Sequence, residues 1–414
     1  MRAGTAAIAH STGTTRQKGS TSMADALEGI RVLDFSQMML GPYATQLLGD
    51  LGADVIKIER PGAGEWERGL EMMGDLVAGE SAAFLAMNRN KRSVAVDLKD
   101  PVARDALLRL AATCDVVVEN FRPGVMARLG LGYEHVRALR PDIIYCSGSG
   151  WGQDTPAARD NRPGQDLLIQ AASGLAYHTG RVGEAPTFAG TSIVDASTAL
   201  TLATGILAAL VARERQGIGQ WVQVDLFSTA MAVQCQEISA IVNQHAEPPR
   251  SAAGIPSPWL SAPAGMYRTA DGWLAVAMAP LDRVAELTGD AELSTLDAWR
   301  DRDEAKRRLD AVFVRRTTEE WLSVLLPGGL WAAPARTVSE AVDELRAQQS
   351  PMVTTVEHPA AGTVELIGCP ITFSETPWRL RLPPPLVGQH TEEVLSEVLS
   401  PDELSALGGD RVQL

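Results

Sequence analysis

A strand, a helix and a second strand follow one another near the start of the chain, and this order constrains the fold more than any other feature. Residues 30–35 (IRVLDF) are predicted as a buried strand, residues 43–51 as a helix introduced by Gly41 and Pro42, and residues 53–59 (ADVIKIE) as a second strand. Two strands joined by a helical crossover run parallel in one sheet. Further strands are predicted at residues 93–98, 114–119 and 142–147, with helices at residues 100–113 and 133–139. The pattern predicts an α/β fold with a doubly wound parallel sheet.

The turn after the first predicted strand lacks the glycines of a dinucleotide-binding site. In a Rossmann-like sheet that binds NAD or FAD, GxGxxG lies between the first strand and the helix, and an acid at the end of the second strand holds the ribose. Glu59 is such an acid, but the turn reads SQMMLGPYA and has one glycine. Nicotinamide or flavin binding is therefore disfavoured. Arg60 follows Glu59 directly and is suited to a phosphate or an adenine ring.

Net charge and cysteine spacing exclude several classes of partner and cofactor. The formal net charge is -14 and the pI is about 5.0, which disfavours binding to nucleic acid or to an anionic membrane surface. The four cysteines are far apart in sequence and form no metal-binding motif, so we expect reduced thiols, no bound metal and a cytoplasmic protein. The most apolar predicted helix, residues 199–211, is too short to cross a bilayer, which predicts no membrane span.

Changes of composition along the chain predict two domains with a linker between them. The predicted division is a disordered extension (1–23), a large ligand-binding α/β domain (24–230), a linker (231–262), a small α+β domain (263–350) and a return to the large domain (351–414). The extension is rich in Ser, Thr, Gly and Ala and contains no acid, and the linker is rich in Pro, Ser and Ala.

Local signals inside the second half of the chain predict particular elements. Asp271 and Gly272 are predicted to form the turn of a β-hairpin in the small domain. Short helices are expected after the hairpin, and residues 353–368 alternate like strands. A helix within residues 388–399 is predicted to lie on the surface with Thr391 as its cap.

Basic side chains are concentrated around the strand predicted at residues 93–98. The cluster consists of Arg89, Lys91, Arg92 and Lys99. Two interpretations remain open, a phosphate-binding patch or a strand edge that its charges protect from pairing. The strand at residues 114–119 leads into Asn120 and Phe121, with Arg128 further along. Because ligands bind beyond the carboxyl ends of strands in open parallel sheets, we expect these three residues to face a ligand.

Two aspartates each stand where a loop becomes an apolar helix. Asp195 precedes a helical pattern at residues 197–213, and Asp166 begins a helix within residues 162–180. An acid at either position is explained simply as a helix cap, which binds free amide groups and complements the helix dipole. The separation, 195 - 166 = 29 residues, is the length of one supersecondary unit, so the two carboxylates are also placed to face one another across a cleft. Both interpretations remain open at this point.

Several ordered motifs extend along most of the chain. They are LEGIRVLDFSQMMLGPYATQLLGDLGADVIKIERPG, NRNKRSVAVDLKD, VVVENFRPGVMARLGLGY, SIVDASTALTLATGILAAL, RERQGIGQWVQVDL and CPITFS with PLVGQHT. Together they resemble the family III CoA-transferases, which include formyl-CoA transferase, carnitine CoA-transferase and α-methylacyl-CoA racemase, over about residues 27–399. The resemblance implies an interlocked homodimer that takes an acyl-CoA and a free carboxylic acid as substrates and needs no metal, ATP or redox cofactor.

The resemblance also implies roles for individual residues. Asp195 corresponds to the nucleophile of the transferases, which forms a mixed anhydride with the acyl group and then a thioester with CoA. A carboxylate with a reference pKa of about 3.9 is ionised at neutral pH and suits this role. The implied CoA contacts are Met38, Met39, Leu40, Arg60, Val96, Lys99, Asn120, Phe121, Arg128 and Leu129. The predicted function is acyl-CoA:carboxylate CoA-transferase.

Departures from the family pattern bear on the activity and leave alternatives. Gln165 precedes Asp166 where the racemases have His before Asp, and an amide does not exchange protons, which disfavours a racemase acting through Asp166 and Asp195. Met39 replaces a polar residue of the formyl-specific type and favours a larger, less polar acyl group. The glycine run that closes over the nucleophile in some transferases is absent from the sequence. The alternatives are an α-methylacyl-CoA racemase and, from a different class, a non-catalytic acyl-CoA-binding protein.

Overall fold

The computed structural model describes residues 25–408, and a six-stranded sheet lies at their centre. The strands are β1 (Arg31–Asp34), β2 (Asp54–Glu59), β3 (Lys91–Ala95), β4 (Val116–Glu119), β5 (Ile144–Ser149) and β6 (Gln220–Asp225). They pair in the order β3-β2-β1-β4-β5-β6, and every pair is parallel. Chain order reverses at β1, which pairs with both β2 and β4, so a crevice is expected between the carboxyl ends of β1 and β4. The predicted doubly wound parallel sheet is confirmed.

Helices cover both faces of this sheet. The helices of this region are α1 (Leu40–Asp50), α2 (Ala82–Met87), α3 (Pro101–Thr113), α4 (Val125–Arg128), α5 (Tyr133–Leu139), α6 (Pro156–Arg159), α7 (Asp166–Ala172), α8 (Ile193–Gln216), α9 (Leu226–Val233) and α10 (Cys235–Gln244). Leu33 packs on one face with α3 and α5, whereas its neighbour Val32 packs on the other with α1, α8 and α9. The alternation of side chains along a strand therefore builds two cores from one sheet.

The sixth strand, β6, has no counterpart among the predicted strands. Its side chains are only partly buried, because it lies at the edge of the sheet, and its hydrophobic pattern is correspondingly weak. Gly217 ends α8 in the left-handed conformation, with φ 70°, and turns the chain back toward β5. A Cβ at Gly219 would lie 2.3 Å from the backbone of Asp142, so only glycine allows β6 to approach this closely.

Helix α8 is longer than predicted, with 24 residues from Ile193 to Gln216. The expectation that the most apolar helix is too short to cross a membrane is therefore wrong, because α8 meets that test by length and by a mean hydropathy of 1.7. Its apolar character has a local explanation. Val194, Leu202 and Ile206 are buried against the sheet and against α1 and α9, and 44% of its most apolar window is buried.

A separate hydrophobic core lies in the second half of the chain. Strands β7 (Gly265–Arg268), β8 (Trp273–Val276) and β9 (Ala332–Pro334) form an antiparallel sheet, which packs with helices α11 (Leu281–Thr288), α12 (Arg302–Phe313) and α13 (Thr318–Leu325). Helix α14 (Val338–Ala347) follows. The predicted hairpin turn at Asp271 and Gly272 joins β7 to β8. The limits of the predicted domains stay predictions, and the extension predicted at residues 1–23 lies outside the described residues.

The end of the chain returns to the parallel sheet. Strands β10 (Val353–His358) and β11 (Gly362–Ile367) form a hairpin, and helices α15 (Thr391–Leu395) and α16 (Pro401–Gly408) follow. The prediction of a surface helix capped by Thr391 is wrong. Thr391 is buried, and its hydroxyl accepts a hydrogen bond from the Ala95 amide, so it fixes the helix to β3. Val394 and Leu395 enter the core beside α3, which is why α15 is not a surface element.

Candidate active site

Two adjacent cavities open beyond the carboxyl ends of the parallel strands. The larger, of about 1160 Å³, includes Arg60, Lys99 and Phe121 in its lining and is called here the Lys99 cavity. The second, of about 590 Å³, has Asp195 in its lining and is called the Asp195 cavity. Trp66 lines both cavities, and the consecutive residues Gln37 and Met38 line one each. A long ligand therefore has room to place one end in each cavity and its middle against the turn after β1.

The turn after β1 is held in place from two sides. The Gln37 amide donates to the Asn120 side chain over 2.8 Å, and the Asn120 amide group donates back to the Gln37 carbonyl over 2.7 Å. Met38 adopts the left-handed conformation, with φ 62°, and its amide donates to Glu65 over 2.9 Å. A non-glycine residue in this conformation is strained, and such strain is typical of functional turns. These hydrogen bonds fix the backbone of Gln37 and Met38 at the boundary between the two cavities.

A network of buried charged side chains supports the turn after β1. Lys57 Nζ lies 2.9 Å from Glu65 Oε1 and donates to the Ser36 carbonyl, while Lys91 Nζ lies 3.3 Å from Asp34 Oδ2. Burial opposes the ionisation of Asp34, but Lys91 and Lys57, together with hydroxyl donors, hold its pKa below the ordinary value. Burial likewise opposes the charge of Lys57, and Glu65 and Asp34 keep its pKa raised. Asp34 and Lys57 therefore keep their charged forms through the opposite charges beside them.

Asp166 performs the capping role that the sequence left open for either aspartate. Its Oδ1 accepts hydrogen bonds from the amides of Val194, over 2.8 Å, and Asp195, over 3.1 Å, at the start of α8. Its Oδ2 accepts a hydrogen bond from Gln170. Among the described residues, no group hydrogen-bonds the carboxylate of Asp195 itself. The interpretation of Asp195 as a helix cap is therefore wrong, and its carboxylate is left free in the cavity.

The pKa of Asp195 is far above its ordinary value. Burial raises it, and the nearby charge of Asp166 raises it further, to about 7. The expectation that Asp195 is fully ionised at neutral pH therefore needs correction, because in the ligand-free protein the carboxyl is partly protonated near pH 7. A poorly solvated carboxylate that forms above this pH is also a stronger nucleophile than one in water.

We predict that Asp166→Asn moves the pH dependence of the reaction. The amide oxygen of Asn keeps a cap for α8, while the loss of charge lowers the pKa of Asp195. Asp195 is the predicted nucleophile and would react in its ionised form, so kcat/KM is expected to rise with pH through its pKa, and the variant should reach its plateau at a lower pH than the wild type. The measurement is kcat/KM from about pH 5 to about pH 9.

The matched control for this prediction is Asp225→Asn. Asp225 also caps a helix, since it accepts a hydrogen bond from the Ser228 amide at the start of α9, but it lines neither cavity. Its variant should keep the wild-type pH profile. An unchanged profile in Asp166→Asn would contradict the account of Asp195.

The predicted CoA contacts divide among several surfaces. Those that line the Lys99 cavity are Arg60, Val96, Lys99, Phe121 and Leu129. Those that line the Asp195 cavity are Met38 and Met39. Asn120 lies beside the turn after β1 and also lines a smaller cavity with Arg162, and Arg128 lines a depression with Arg159. Leu40 lines none of these spaces, because it is buried as the first residue of α1 and contacts Gly148.

The basic cluster around β3 is structural except for Lys99. Arg89 forms a two-pronged ion pair with Asp50, Lys91 contacts Asp34, and Arg92 pairs with Asp54 and with Glu393 of α15. Lys99 and Arg60 are exposed and make no ion pair among the described residues. They remain the two cations of the larger cavity that are available to phosphates.

We predict that Lys99→Met and Arg60→Met each raise KM for an acyl-CoA about tenfold, because each removes one charge-assisted contact worth about 1.5 to 3 kcal/mol. The turnover number should change little, since neither residue lies in the Asp195 cavity. The same acyl group on pantetheine, which lacks the nucleotide, should show no difference between variants and wild type. Arg137→Met, which removes an exposed charge on α5, is the control; an equal loss there would contradict the assignment.

Three residues that line the cavities are not among the site residues predicted from the sequence. Glu65, Trp66 and Glu67 lie in the loop after β2 and in the 3-10 turn Trp66–Gly69. Glu65 holds Met38, Trp66 lines both cavities, and Glu67 lines the Asp195 cavity. Their sequence signal is a tryptophan between two acids, in a glycine-containing loop at the carboxyl end of a strand. Gln165, noted in the sequence only as a departure from the racemases, also lines the Asp195 cavity.

The chain is similar to known proteins over most of its length. The profile of CoA-transferase family III matches residues 27–391. The chain is 35% identical over 402 residues to the succinyl-CoA:glutarate CoA-transferase of Mus musculus, covering 94% of this chain and 90% of that protein. It is 30% identical over 407 residues to the formyl-CoA:oxalate CoA-transferase of Afipia carboxidovorans, covering 91% and 94%. A crystal structure of a CAIB/BAIF family protein from Brucella suis matches with a TM-score of 0.78 and 28% identity, over 91% of this chain and 100% of that chain.

The parallel sheet and the similarity to known proteins together define an α/β enzyme of acyl-CoA chemistry. The chain belongs to CoA-transferase family III and is a CoA-transferase. The resemblance seen in the sequence is thereby confirmed. The roles of the individual residues stay predictions.

Proposed function

We propose that the protein moves CoA between two carboxylic acids through a covalent aspartyl-CoA thioester at Asp195. One observation carries this proposal. The Asp195 carboxylate has no hydrogen-bond partner among the described residues, and it lines the cavity that adjoins the cation-lined Lys99 cavity. A CoA thioester with its phosphates near Lys99 and Arg60 would extend past Met38 and Trp66 toward this carboxylate.

The proposed reaction consists of two mirrored halves. Asp195 attacks the acyl-CoA carbonyl, which gives an acyl-aspartyl anhydride and the CoA thiolate. The thiolate attacks the aspartyl carbonyl, forms the aspartyl-CoA thioester and releases the first acid as a carboxylate. The acceptor carboxylate then attacks this thioester, which gives a second anhydride and frees the thiolate again. The thiolate finally attacks the new acyl carbonyl, so that a new acyl-CoA leaves and Asp195 is restored.

The protein contributes position and environment to these steps. The Asp166 cap fixes the start of α8, and with it the backbone of Asp195. The hydrogen bonds of Gln37 and Met38 hold the turn against which the thioester would lie. Since every step joins two groups within one cavity, fixed orientation is the main source of rate acceleration that this chain can supply.

The lining of the Asp195 cavity favours an acyl group larger than formyl. Met38, Met39, Leu70, Met72 and Met87 provide an apolar wall, and the volume of about 590 Å³ exceeds what a one-carbon acyl group requires. Relatives named for succinyl-CoA:glutarate and succinyl-CoA:mesaconate transfer support a multi-carbon acid as the substrate class here.

We also propose that the working enzyme is an interlocked homodimer in the cytoplasm that needs no cofactor beyond its CoA substrate. The family resemblance supports this assembly. The exposed apolar side chains of α8, including Leu200 and Val211, are consistent with a face that a second chain covers.

The proposed function is tested by offering a panel of carboxylic acids to the enzyme with several acyl-CoAs and detecting new thioesters by mass spectrometry. We expect a new acyl-CoA to form in step with the loss of the donor. Exchange of deuterium into the α-carbon of an acyl-CoA in D₂O, without any acceptor acid, would instead support the racemase alternative. Binding of acyl-CoA without either reaction would support the non-catalytic one.

A further inference from the structure

The Asp195 cavity contains a second carboxyl group that the proposed reaction does not use. Glu67 is 3% exposed, and it lines the cavity from the side of the 3-10 turn Trp66–Gly69. Its Oε2 is buried without a hydrogen-bond partner, and its carboxyl forms no ion pair with any described residue. A carboxyl group that lines a cavity, and has an oxygen without a partner in the protein, points to a partner in the ligand.

The surroundings of Glu67 keep its carboxyl group protonated. Burial raises its pKa, Glu65 raises it further, Lys57 and Lys91 oppose the rise, and Asp195 adds to it, so that the pKa is about 8. The two lysines do not pair with Glu67, because Lys57 contacts Glu65 and Lys91 contacts Asp34.

The remaining polar groups of the lining do not satisfy Glu67 either. Arg89 directs its guanidinium to Asp50 and to the Ile367 carbonyl, and Tyr43 makes no hydrogen bond with Glu67. At neutral pH, Glu67 is therefore a hydroxyl donor without an acceptor.

An apolar wall surrounds this donor. The apolar residues of the same lining include Met38, Met39, Leu70, Met72 and Met87. A purely hydrocarbon acyl group in the cavity would leave the Glu67 hydroxyl unpaired, whereas an oxygen on the acyl group could accept its hydrogen bond, a difference of about 1 to 3 kcal/mol. A site of this kind rejects a substrate that lacks the matching group more strongly than it rejects one of the wrong size.

We infer that Glu67 is a specificity-determining residue, which donates a hydrogen bond to an oxygen on the acyl chain beyond the reacting carbonyl. The substrate class is then an acid with a second oxygen function, either a hydroxyl or oxo group or a second carboxylate. This inference rests on the proposed function, because it concerns the acyl group that Asp195 receives. No bond is made or broken at Glu67.

The test compares three four-carbon thioesters with one acceptor acid: butyryl-CoA, hydroxybutyryl-CoA with a terminal hydroxyl, and succinyl-CoA. For the wild type we expect kcat/KM to be about 10 to 100 times higher for at least one oxygenated thioester than for butyryl-CoA. A preference for hydroxybutyryl-CoA indicates that Glu67 donates its hydrogen bond to a neutral oxygen of the substrate. A preference for succinyl-CoA indicates a hydrogen bond from protonated Glu67 to a substrate carboxylate. Equal rates for all three would overturn the inference.

Variants of Glu67 identify the source of the preference. Glu67→Met removes the donor and should abolish the preference, mainly by improving butyryl-CoA. Glu67→Gln keeps a hydrogen-bond donor and should retain most of the preference for oxygenated thioesters. Glu71→Met, which changes an exposed acid of the same loop outside the cavity, is the control and should behave as the wild type. A full preference in Glu67→Met would overturn the inference.

The pH dependence of the preference for oxygenated thioesters is a second, independent test of the role of Glu67. The wild-type preference should weaken above about pH 8, where Glu67 loses its proton, whereas the preference of Glu67→Gln should not change there. A wild-type preference that persists at high pH would count against the role of a protonated Glu67. Failure of the wild type to turn over any thioester with any acid overturns the proposed function itself, and is thus distinct from equal turnover of all three.

Discussion

Asp195→Asn is expected to lower the turnover number for CoA transfer by at least about 10,000-fold, because an amide cannot form the anhydride through which the reaction passes. Asp195→Ala should give the same loss, and it cannot revert to aspartate by deamidation. The measurement is the rate of new acyl-CoA formation with the best pair of substrates. Asp225→Asn, the capping variant outside the cavities, should keep wild-type activity.

The loss in the Asp195 variants must come from chemistry and not from unfolding or weaker binding. Asp166 provides the side-chain cap of α8, so the start of this helix does not depend on the Asp195 side chain. The pKa of Asp195 in the folded protein, about 7, lies above the ordinary value of 3.8. Ionisation of Asp195 therefore destabilises the folded protein, and stability that is present at low pH is lost as the pH rises between these two values. At pH above 7 the Asn variant should therefore melt no lower than the wild type. Retained turnover in either Asp195 variant would contradict the proposed role of this carboxylate.

Lys57→Met is expected to reduce the free energy of unfolding by about 3 to 5 kcal/mol, the largest stability effect that we predict for one substitution. Lys57 is fully buried between Glu65 and Asp34, and its removal leaves these carboxylates in the interior with less compensating charge. The effect is measured by urea denaturation. Activity should also fall, because Glu65 holds the amide of Met38 at the turn between the two cavities.

Two further variants separate the buried charge from the loss of packing. Adding Glu65→Gln to Lys57→Met should recover part of the lost stability, since the second change neutralises the carboxylate that the first leaves unpaired. Lys306→Met is the matched control, because Lys306 is also buried but its partner Asp310 is partly exposed, so the loss should be smaller. A cost below about 1 kcal/mol for Lys57→Met would contradict the description of this network.

Features that depend on local pattern could be predicted from the sequence. The buried strands at residues 30–35 and 53–59 with a helix between them fix a parallel pair, and the observed β1, α1 and β2 follow this pattern closely. Such features are set by residues close together in the chain, where periodicity and turn chemistry act. The spacing between Asp166 and Asp195 suggested two carboxylates that face one another across a cleft, whereas the structure places the Asp166 carboxylate on the backbone amides of Val194 and Asp195.

Features that depend on distant partners could not be predicted. The basic cluster around β3 resembled a phosphate site because its partners, Asp50 for Arg89 and Asp34 for Lys91, lie 39 and 57 residues away. The cap of α8 comes from Asp166 in another helix, so local rules assigned it to Asp195. Glu67 lies in a loop without periodicity, and its significance comes from burial and from an unpaired oxygen. Each of these depends on contacts that the order of residues alone does not reveal.

The central claim is that Asp195 becomes covalently bonded during turnover. The direct measurement is to incubate the wild type with an acyl-CoA in the absence of acceptor acid, reduce it with borohydride and sequence the tryptic peptide of residues 182–213, whose only acidic side chains are Glu184 and Asp195. We predict that a fraction of the aspartate at position 195 becomes homoserine, and that Glu184 is unchanged. Active enzyme with an intact aspartate at position 195 after this treatment would contradict the account.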